Sequence, residues 1–346
     1  MIRYTGASVR RVEDPRLLRG RGRYVGDLVL PRMLTVAFVR SPHAHAAIRA
    51  VDAAAARALP GVVAVVTAAD LSGVGPLSPR LEGGGFVPTA WPPLADGEAR
   101  FGGQAVAAVV AADAYTAADG RERVAVEYEP RPALASVEAA LAAERVLFRR
   151  RGTQGDVEAA FARADIVIRE TFRHGRCAPL PLEPRVVLAD WDGETLTVWA
   201  GTQIPHVLAS ALAASLGLAE TRVRVIAPDV GGGFGLKAHV FPEDVAVAAI
   251  ARLLGRPVRW IEERRENMAA ASHAREQRFE VEAGADAEGR LLGLRGRAVS
   301  DAGAYHVFPL TQALEPLGSA AILPGPYRTP AYAWEAVAVA TNKPPL

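Results

Sequence analysis

Cysteine is nearly absent. Cys177 is the single one in 346 residues. No internal disulfide, cysteine zinc site or cysteine-ligated iron–sulfur cluster can therefore be built from this chain. A lone thiol suits a reducing compartment and points to the cytoplasm, where it reads as buried or incidental. Long apolar runs are missing too: no stretch of about 18 apolar residues occurs, so no membrane span is expected. The opening Met1-Ile2-Arg3-Tyr4-Thr5-Gly6 has no apolar segment of the kind that drives secretion. Charge of one sign is not in excess, with 40 Lys and Arg against 38 Asp and Glu and a net charge of +2. That balance gives no reason to expect nucleic acid or an anionic membrane as partner. The longest basic run, Arg149-Arg150-Arg151, reads as a solvated linker, and Glu262-Glu263-Arg264-Arg265-Glu266 as a solvated face. His43 and His45 stand at strand spacing without a third ligand, so loop or core histidines are expected rather than a metal pair.

Half of the residues are hydrophobic, enough for two domains of ordinary size, each with its own core, or for one large one. Residues 1–30, rich in Arg, Gly and Asp, read as an extended arm that could lie across another surface. Strands are expected at 33–40, where Leu34, Val36 and Phe38 alternate, at 61–67, at 105–111 and at 124–128. Helices are expected at 52–59 and 115–120, and a long Pro- and Gly-rich loop at 70–100. Pro130-Arg131-Pro132 marks the approach to a boundary, followed by a short helix at 136–145. Beyond it, Asp156 can cap a helix to Ala164. Strands 185–190 and 195–200 meet at the Asp192-Gly193 turn. A helix at 205–216 lies between Pro205 and Gly217. A strand at 222–227, a glycine loop and a helix at 242–254 closed by Gly255 come next, then strands at 257–261, 277–283 and 291–299. This alternation is α/β in class.

The loop Gly231-Gly232-Gly233-Phe234-Gly235 stands between a strand and a helix. Glycines allow close backbone approach to a ligand, and free N–H groups at such a position favour an anion. Two nucleotide-binding templates fail. The third glycine of a dinucleotide fingerprint would fall on Leu236, and the Gly-Lys-Ser/Thr of a P-loop is replaced by Leu236-Lys237-Ala238. Gly83-Gly84-Gly85-Phe86 repeats four of the letters without the strand and helix. On spacing alone the loop is either an anion cradle or a tight structural turn.

Val230-Gly231-Gly232-Gly233-Phe234-Gly235-Leu236-Lys237 resembles the molybdopterin-loop signature of the xanthine dehydrogenase/aldehyde oxidase/aerobic carbon monoxide dehydrogenase family. Further pieces match in order. Phe38-Val39-Arg40-Ser41-Pro42-His43-Ala44-His45, Leu59-Pro60-Gly61-Val62 and Tyr128-Glu129-Pro130-Arg131-Pro132-Ala133 resemble its N-terminal α/β hammerhead domain. Leu182-Glu183-Pro184-Arg185, Trp199 to His206 and Glu263-Arg264-Arg265-Glu266-Asn267 resemble the first half of its cofactor domain. Asp301-Ala302-Gly303-Ala304-Tyr305 and Gly325-Pro326-Tyr327-Arg328 continue the match.

The resemblance implies an arm and hammerhead domain over residues 1–140 and the first part of a molybdenum cofactor-binding domain over 141–346, truncated at its C-terminus. It implies that Gln203 donates its side-chain amide to the apical oxo ligand of molybdenum, and that Gly232, Gly233, Phe234 and Gly235 offer backbone contacts beside the metal. The pterin dithiolene would hold the metal, so no protein metal ligand is required. Glu183 reads as structural at a strand entry before Pro184, with an active-site role as the alternative. The charge run at 262–266 could also meet the cofactor's nucleotide tail. Purine-oxidising members carry a glutamate after the loop lysine; here Ala238 stands there, which favours the carbon monoxide dehydrogenase-like branch or a non-purine substrate. The family's arginine loop and its general-base glutamate lie beyond Thr341-Asn342-Lys343-Pro344-Pro345-Leu346, so no catalytic base is assigned and the chain alone is expected to be inactive.

The function this resemblance implies is that of a molybdenum hydroxylase large-subunit part. It would bind molybdopterin, as the cytosine dinucleotide, and contribute to oxidative hydroxylation of a small substrate such as an aldehyde, a heterocycle or CO. Electrons would pass to 2Fe–2S and FAD groups on an iron–sulfur subunit and an FAD-binding subunit, with another chain supplying the missing C-terminal half. The alternative is a non-catalytic remnant or assembly module of such a complex.

Overall fold

The computed structural model describes residues 4–79, 85–310 and 312–346. Within them the strands form sheets of seven, five and three. The seven-stranded sheet runs in the order Val223–Ile226, Leu196–Ala200, Val186–Trp191, Val258–Ile261, Leu34–Arg40, Ala105–Ala111, Val62–Thr67. Leu34–Arg40 pairs in parallel with Val258–Ile261 and antiparallel with Ala105–Ala111. The sheet thus joins strands more than two hundred residues apart in the chain. Ala105–Ala111 is buried along its whole length, which explains an unbroken apolar run where a one-sided strand would alternate.

One face of this sheet carries the main core. Helices Pro205–Leu216 and Pro242–Leu254 lie on it, and Leu208, Leu212, Val245 and Ile250 pack with Val187, Ala189, Val198 and Trp260. Both helices start on a proline whose missing N–H costs nothing there. Both end on a left-handed glycine, Gly217 at φ 63° and Gly255 at φ 57°. On the opposite face Val39, Ala107 and Val109 meet Ala53 and Ala56, while Val25 packs with Val186 and Leu188. The N-terminal arm therefore lies on the chain's own sheet. Arg259 donates to the Gly26 and Leu28 carbonyls, and Arg16 and the Arg23 N–H both bond Asp229.

The five-stranded sheet has the order Val146–Gln154, Ala331–Val339, Leu291–Asp301, Gln277–Ala285, Ile166–His174. Helix Leu314–Ile322 covers one face through Ala320, Ala336 and Ala338. Helices Val137–Ala142 and Val157–Ala162 cover the two ends of the other face. Asp156 caps the latter, accepting from Ala159 N–H at 3.0 Å.

The structure corrects several expectations. Arg149-Arg150-Arg151 is no linker: it lies inside strand Val146–Gln154, paired with Glu335, Ala336 and Val337. Glu262 and Glu266 are buried, because arginines distant in sequence meet them, so this run is not a solvated face. Cys177 is exposed. His43 and His45 precede strand Ala46–Asp52 rather than standing in one; His45 bonds Glu98 at 2.9 Å and the His43 ring packs on Tyr128. The segment expected as a helix from residue 52 begins as that strand and turns helical only over Ala54–Arg57. Gly83 and Gly84 of the second Gly-Gly-Gly-Phe copy lie outside the described residues.

Candidate functional site

Three chain segments converge where the glycine loop leaves strand Val223–Ile226. They are residues 181–185, the Gly201–Gln203 exit of strand Leu196–Ala200, and the loop itself. The backbone of the loop is held by Glu183. Its carboxylate accepts from Gly231 N–H at 2.8 Å, while its own N–H donates to the Gly231 carbonyl at 3.1 Å. A Cβ on Gly231 would lie 2.5 Å from that of Glu183, so only glycine permits the approach. Gly232 and Gly235 take φ of 98° and 86°, and Phe234 follows them into the left-handed region at 52°, a conformation that costs a non-glycine residue free energy.

Gln203 comes to the loop from the other side. Its N–H donates to the Lys237 carbonyl at 2.8 Å, and a Cβ at Gly233 would overlap the Gln203 carboxamide. The loop's 3-10 turn closes through Leu236 N–H to Gly233 and Ala238 N–H to Gly235. The amides of Gly232, Gly233, Phe234 and Gly235 donate to no acceptor among the described residues, and the Gln203 carboxamide likewise has no hydrogen bond there. The five residues singled out in the sequence are thus together, with their donors unpaired.

Exposure distinguishes the two Gly-Gly-Gly-Phe copies. Phe86 is 9% exposed and sits in the core with Phe148, whereas Phe234 is 76% exposed beside Gln203.

Beneath the loop lies charge. Lys237 Nζ meets Glu183 at 2.6 Å and is almost fully buried. Burial pushes the ammonium's pKa down, against the opposing pull of the Glu183 carboxylate. His239 is pushed down to about 4 by burial and is held neutral. Arg185 bonds Glu262 at 2.6 Å and Glu243 at 3.1 Å, and Arg40 bonds Glu243 and Glu266, each at 2.8 Å. Burial works against the Arg185 guanidinium, but Glu243 and Glu262 outweigh it and its pKa is raised. The same two arginines hold Glu243 down to about 2 in spite of burial. Sequence reasoning missed Lys237 and Gly201 as parts of this arrangement. One signal was available: Lys237 is one of two lysines among the 40 basic residues.

The molybdopterin cofactor-binding domain matches residues 141–346, and the aldehyde oxidase and xanthine dehydrogenase a/b hammerhead domain matches 19–132. The chain belongs to the xanthine dehydrogenase/aldehyde oxidase family. Relatives include the nicotine 6-hydroxylase large subunit of Paenarthrobacter nicotinovorans, 40% identical across 99% of this chain and 43% of its own length. The carbon monoxide dehydrogenase large chain of Afipia carboxidovorans is 39% identical across 87% of this chain and 40% of its own. Quinoline 2-oxidoreductase from Pseudomonas putida 86 superposes with a TM-score of 0.95 at 42% identity, over 99% of this chain and 45% of that one. The chain spans less than half the length of these family members. The expected α/β fold, a hammerhead domain followed by a molybdopterin-binding domain, is the family's fold. No helix among the described residues is long and apolar enough to cross a membrane.

Proposed function

We propose that this chain forms one wall of a molybdopterin site in a molybdenum hydroxylase that oxidatively hydroxylates a small substrate: an aldehyde, a heterocycle or CO. The observation that carries this reading is the row of four unpaired loop amides beside the unpaired Gln203 carboxamide. Donors fixed in this way before a ligand arrives need no reorganisation when negative charge is placed against them. They suit the oxo and sulfur ligands of a pterin-bound molybdenum.

In this reading Gln203 donates to an oxo ligand, and Gly232, Gly233, Phe234 and Gly235 hold the cofactor's inner end through their backbones. Phe234, exposed on its left-handed residue, screens the substrate side. The cofactor, when bound, supplies the two-electron chemistry. Ala238 leaves the position after the lysine apolar, which suits a substrate without a purine's polar edge. The cofactor is the cytosine dinucleotide form, and the electrons leave through 2Fe–2S and FAD partner subunits in the cytoplasm. We place the hammerhead unit in residues 1–140 and the cofactor unit in 141–346. Sequence corresponding to the unmatched part of the relatives, in the same or another chain, supplies the opposite wall and the general base.

The test is metal and pterin content after co-expression with that remaining part. Near-stoichiometric molybdenum and pterin are expected, falling at least about ten-fold in Gly233→Ala, whose added Cβ displaces Gln203. No molybdenum in the parent complex would leave only an assembly role.

A further inference from the structure

Lys237 is tied to both walls of the site. Its carbonyl accepts from Gln203 N–H at 2.8 Å and from the Thr202 hydroxyl at 3.3 Å. Its ammonium bonds the same Glu183 oxygen that accepts from Gly231 N–H. One residue therefore connects the segment carrying Gln203 with the segment that anchors the start of the glycine loop. Thr202 in turn caps the next backbone step, accepting from Ile204 N–H at 3.1 Å. On the far side Arg264 donates to the Pro181 and Leu182 carbonyls, at 2.7 and 3.3 Å, which fixes the segment that bears Glu183.

The choice of cation is also informative. This chain uses arginine at all but two of its 40 basic positions. At 237 the cation is almost fully buried, and a Cβ on Gly201 would stand 3.3 Å from its Nζ and 3.2 Å from Glu183 Oε2. Such close packing favours a compact ammonium over a bulkier planar guanidinium. A buried ion pair gains little net stability, because desolvation offsets the attraction. What such a pair supplies is geometry.

We propose that Glu183 and Lys237 form a positioning pair that sets the distance between Gln203 and the loop amides of Gly232 to Gly235, and that Gly201 gives the pair its room. This rests on the proposed molybdopterin site for its chemical meaning, but the geometry it predicts belongs to the chain itself. Both residues act through the loop and Gln203; neither is assigned contact with substrate.

The test is amide hydrogen exchange on the full chain without cofactor, read segment by segment, together with the affinity of the same protein for isolated molybdopterin. Lys237→Met leaves the part-buried Glu183 carboxylate without its cation, and it can lower overall stability. The paired variant Glu183→Gln/Lys237→Met removes both charges and keeps the volume. In the paired variant the hydrogen-bonded amides of Gly231, Leu236, Ala238, Gln203 and Ile204 are expected to exchange at least about ten-fold faster, while helix Pro242–Leu254 is unchanged. Molybdopterin affinity should fall by a similar factor. Lys237→Arg should loosen the same segments rather than restore them, and Gly201→Ala should do so more weakly. Parent-like exchange in 231–238 for both the paired variant and Lys237→Arg would overturn the inference. Loosening of the loop in a chain whose parent form binds no molybdopterin would support the positioning pair and sink the proposed function instead.

Discussion

Two groups of ion pairs in this molecule use the same residue types, arginine and glutamate, to opposite ends. Below the glycine loop, Arg40, Arg185, Glu243, Glu262 and Glu266 form a cluster sealed from solvent, with Asn267 donating to Glu262 at 2.9 Å. On the five-stranded sheet, Arg151, Glu335, Arg297 and Glu280 form a row across four strands, and Arg295, Glu282 and Arg169 a second row beside it. The rows are open to water between the two helices that cover the ends of that face. Alternating sign across neighbouring strands fixes register cheaply and keeps an open sheet face soluble. The sealed cluster joins strand Leu34–Arg40, helix Pro242–Leu254 and the segment after strand Val258–Ile261, and removing one member strands the rest.

The largest effect is therefore expected in the sealed cluster. Glu262→Ala leaves Arg185 and Asn267 buried without their main acceptor and should cost about 3–5 kcal/mol in urea unfolding. A loss below about 1 kcal/mol would erase the distinction between the two groups. Next comes a pH effect at the helix start. Asp244 accepts from Phe241 N–H at 2.9 Å, and burial pushes its pKa up to about 7. The folded state then holds a proton that the unfolded chain releases near pH 4, so this contribution to stability declines as pH rises from about 4 to about 7. Asp244→Asn keeps the acceptor and should flatten that decline, raising stability at pH 8 by on the order of 1–3 kcal/mol. Glu243 has the opposite sign. Held at about 2 by Arg185 and Arg40, it contributes stability above pH 4 that is lost as pH falls towards 2. A thermal-unfolding series from pH 3 to 8 in parent and Asp244→Asn separates the two.

In the exposed rows, Glu282→Gln removes pairs to Arg169 and Arg295 and should cost less than about 1 kcal/mol, with the loss shrinking in 0.5 M salt. The smallest effect on global stability is expected at the arm. Asp229→Ala should free residues 4–22 to limited proteolysis without moving the unfolding midpoint, because the pair to Arg16 is open to solvent.

The same contrast separates what was legible in the sequence from what was not. Helices 205–216 and 242–254, the Asp192-Gly193 turn and the glycine loop announce themselves through proline, glycine and period, all of them local signals. The family motifs led to Gln203 and to Gly232 through Gly235, and the structure brings all of these residues together. Glu262 and Glu266 read as solvent-facing because they stand in an unbroken run of five charged residues. Their burial depends on Arg40 and Arg185, 226 and 77 residues away. Strand Ala331–Val339 mixes strand-favouring Tyr332, Trp334, Val337 and Val339 with four alanines, and its place between Leu291–Asp301 and Val146–Gln154 is fixed by partners distant in sequence. Strand Ile166–His174 is exposed along its length, so it lacks the alternation that marks a half-buried strand. Lys237 was read as one letter of a motif, since its meaning lies in Glu183 and Gly201.

The parallel pairing of Leu34–Arg40 with Val258–Ile261 also sets an order of events during synthesis. The first of these strands can close against Ala105–Ala111, which in turn takes Val62–Thr67, soon after they emerge. Its other edge must wait for Val258–Ile261, far beyond Ala105–Ala111 in the chain. Until then the nascent chain carries an unpaired strand edge, a feature that makes a partly folded chain prone to aggregate. The partners of Arg40, Glu243 and Glu266, arrive with the same late segment, so its ion pairs can close only when the two parts of the sheet have met.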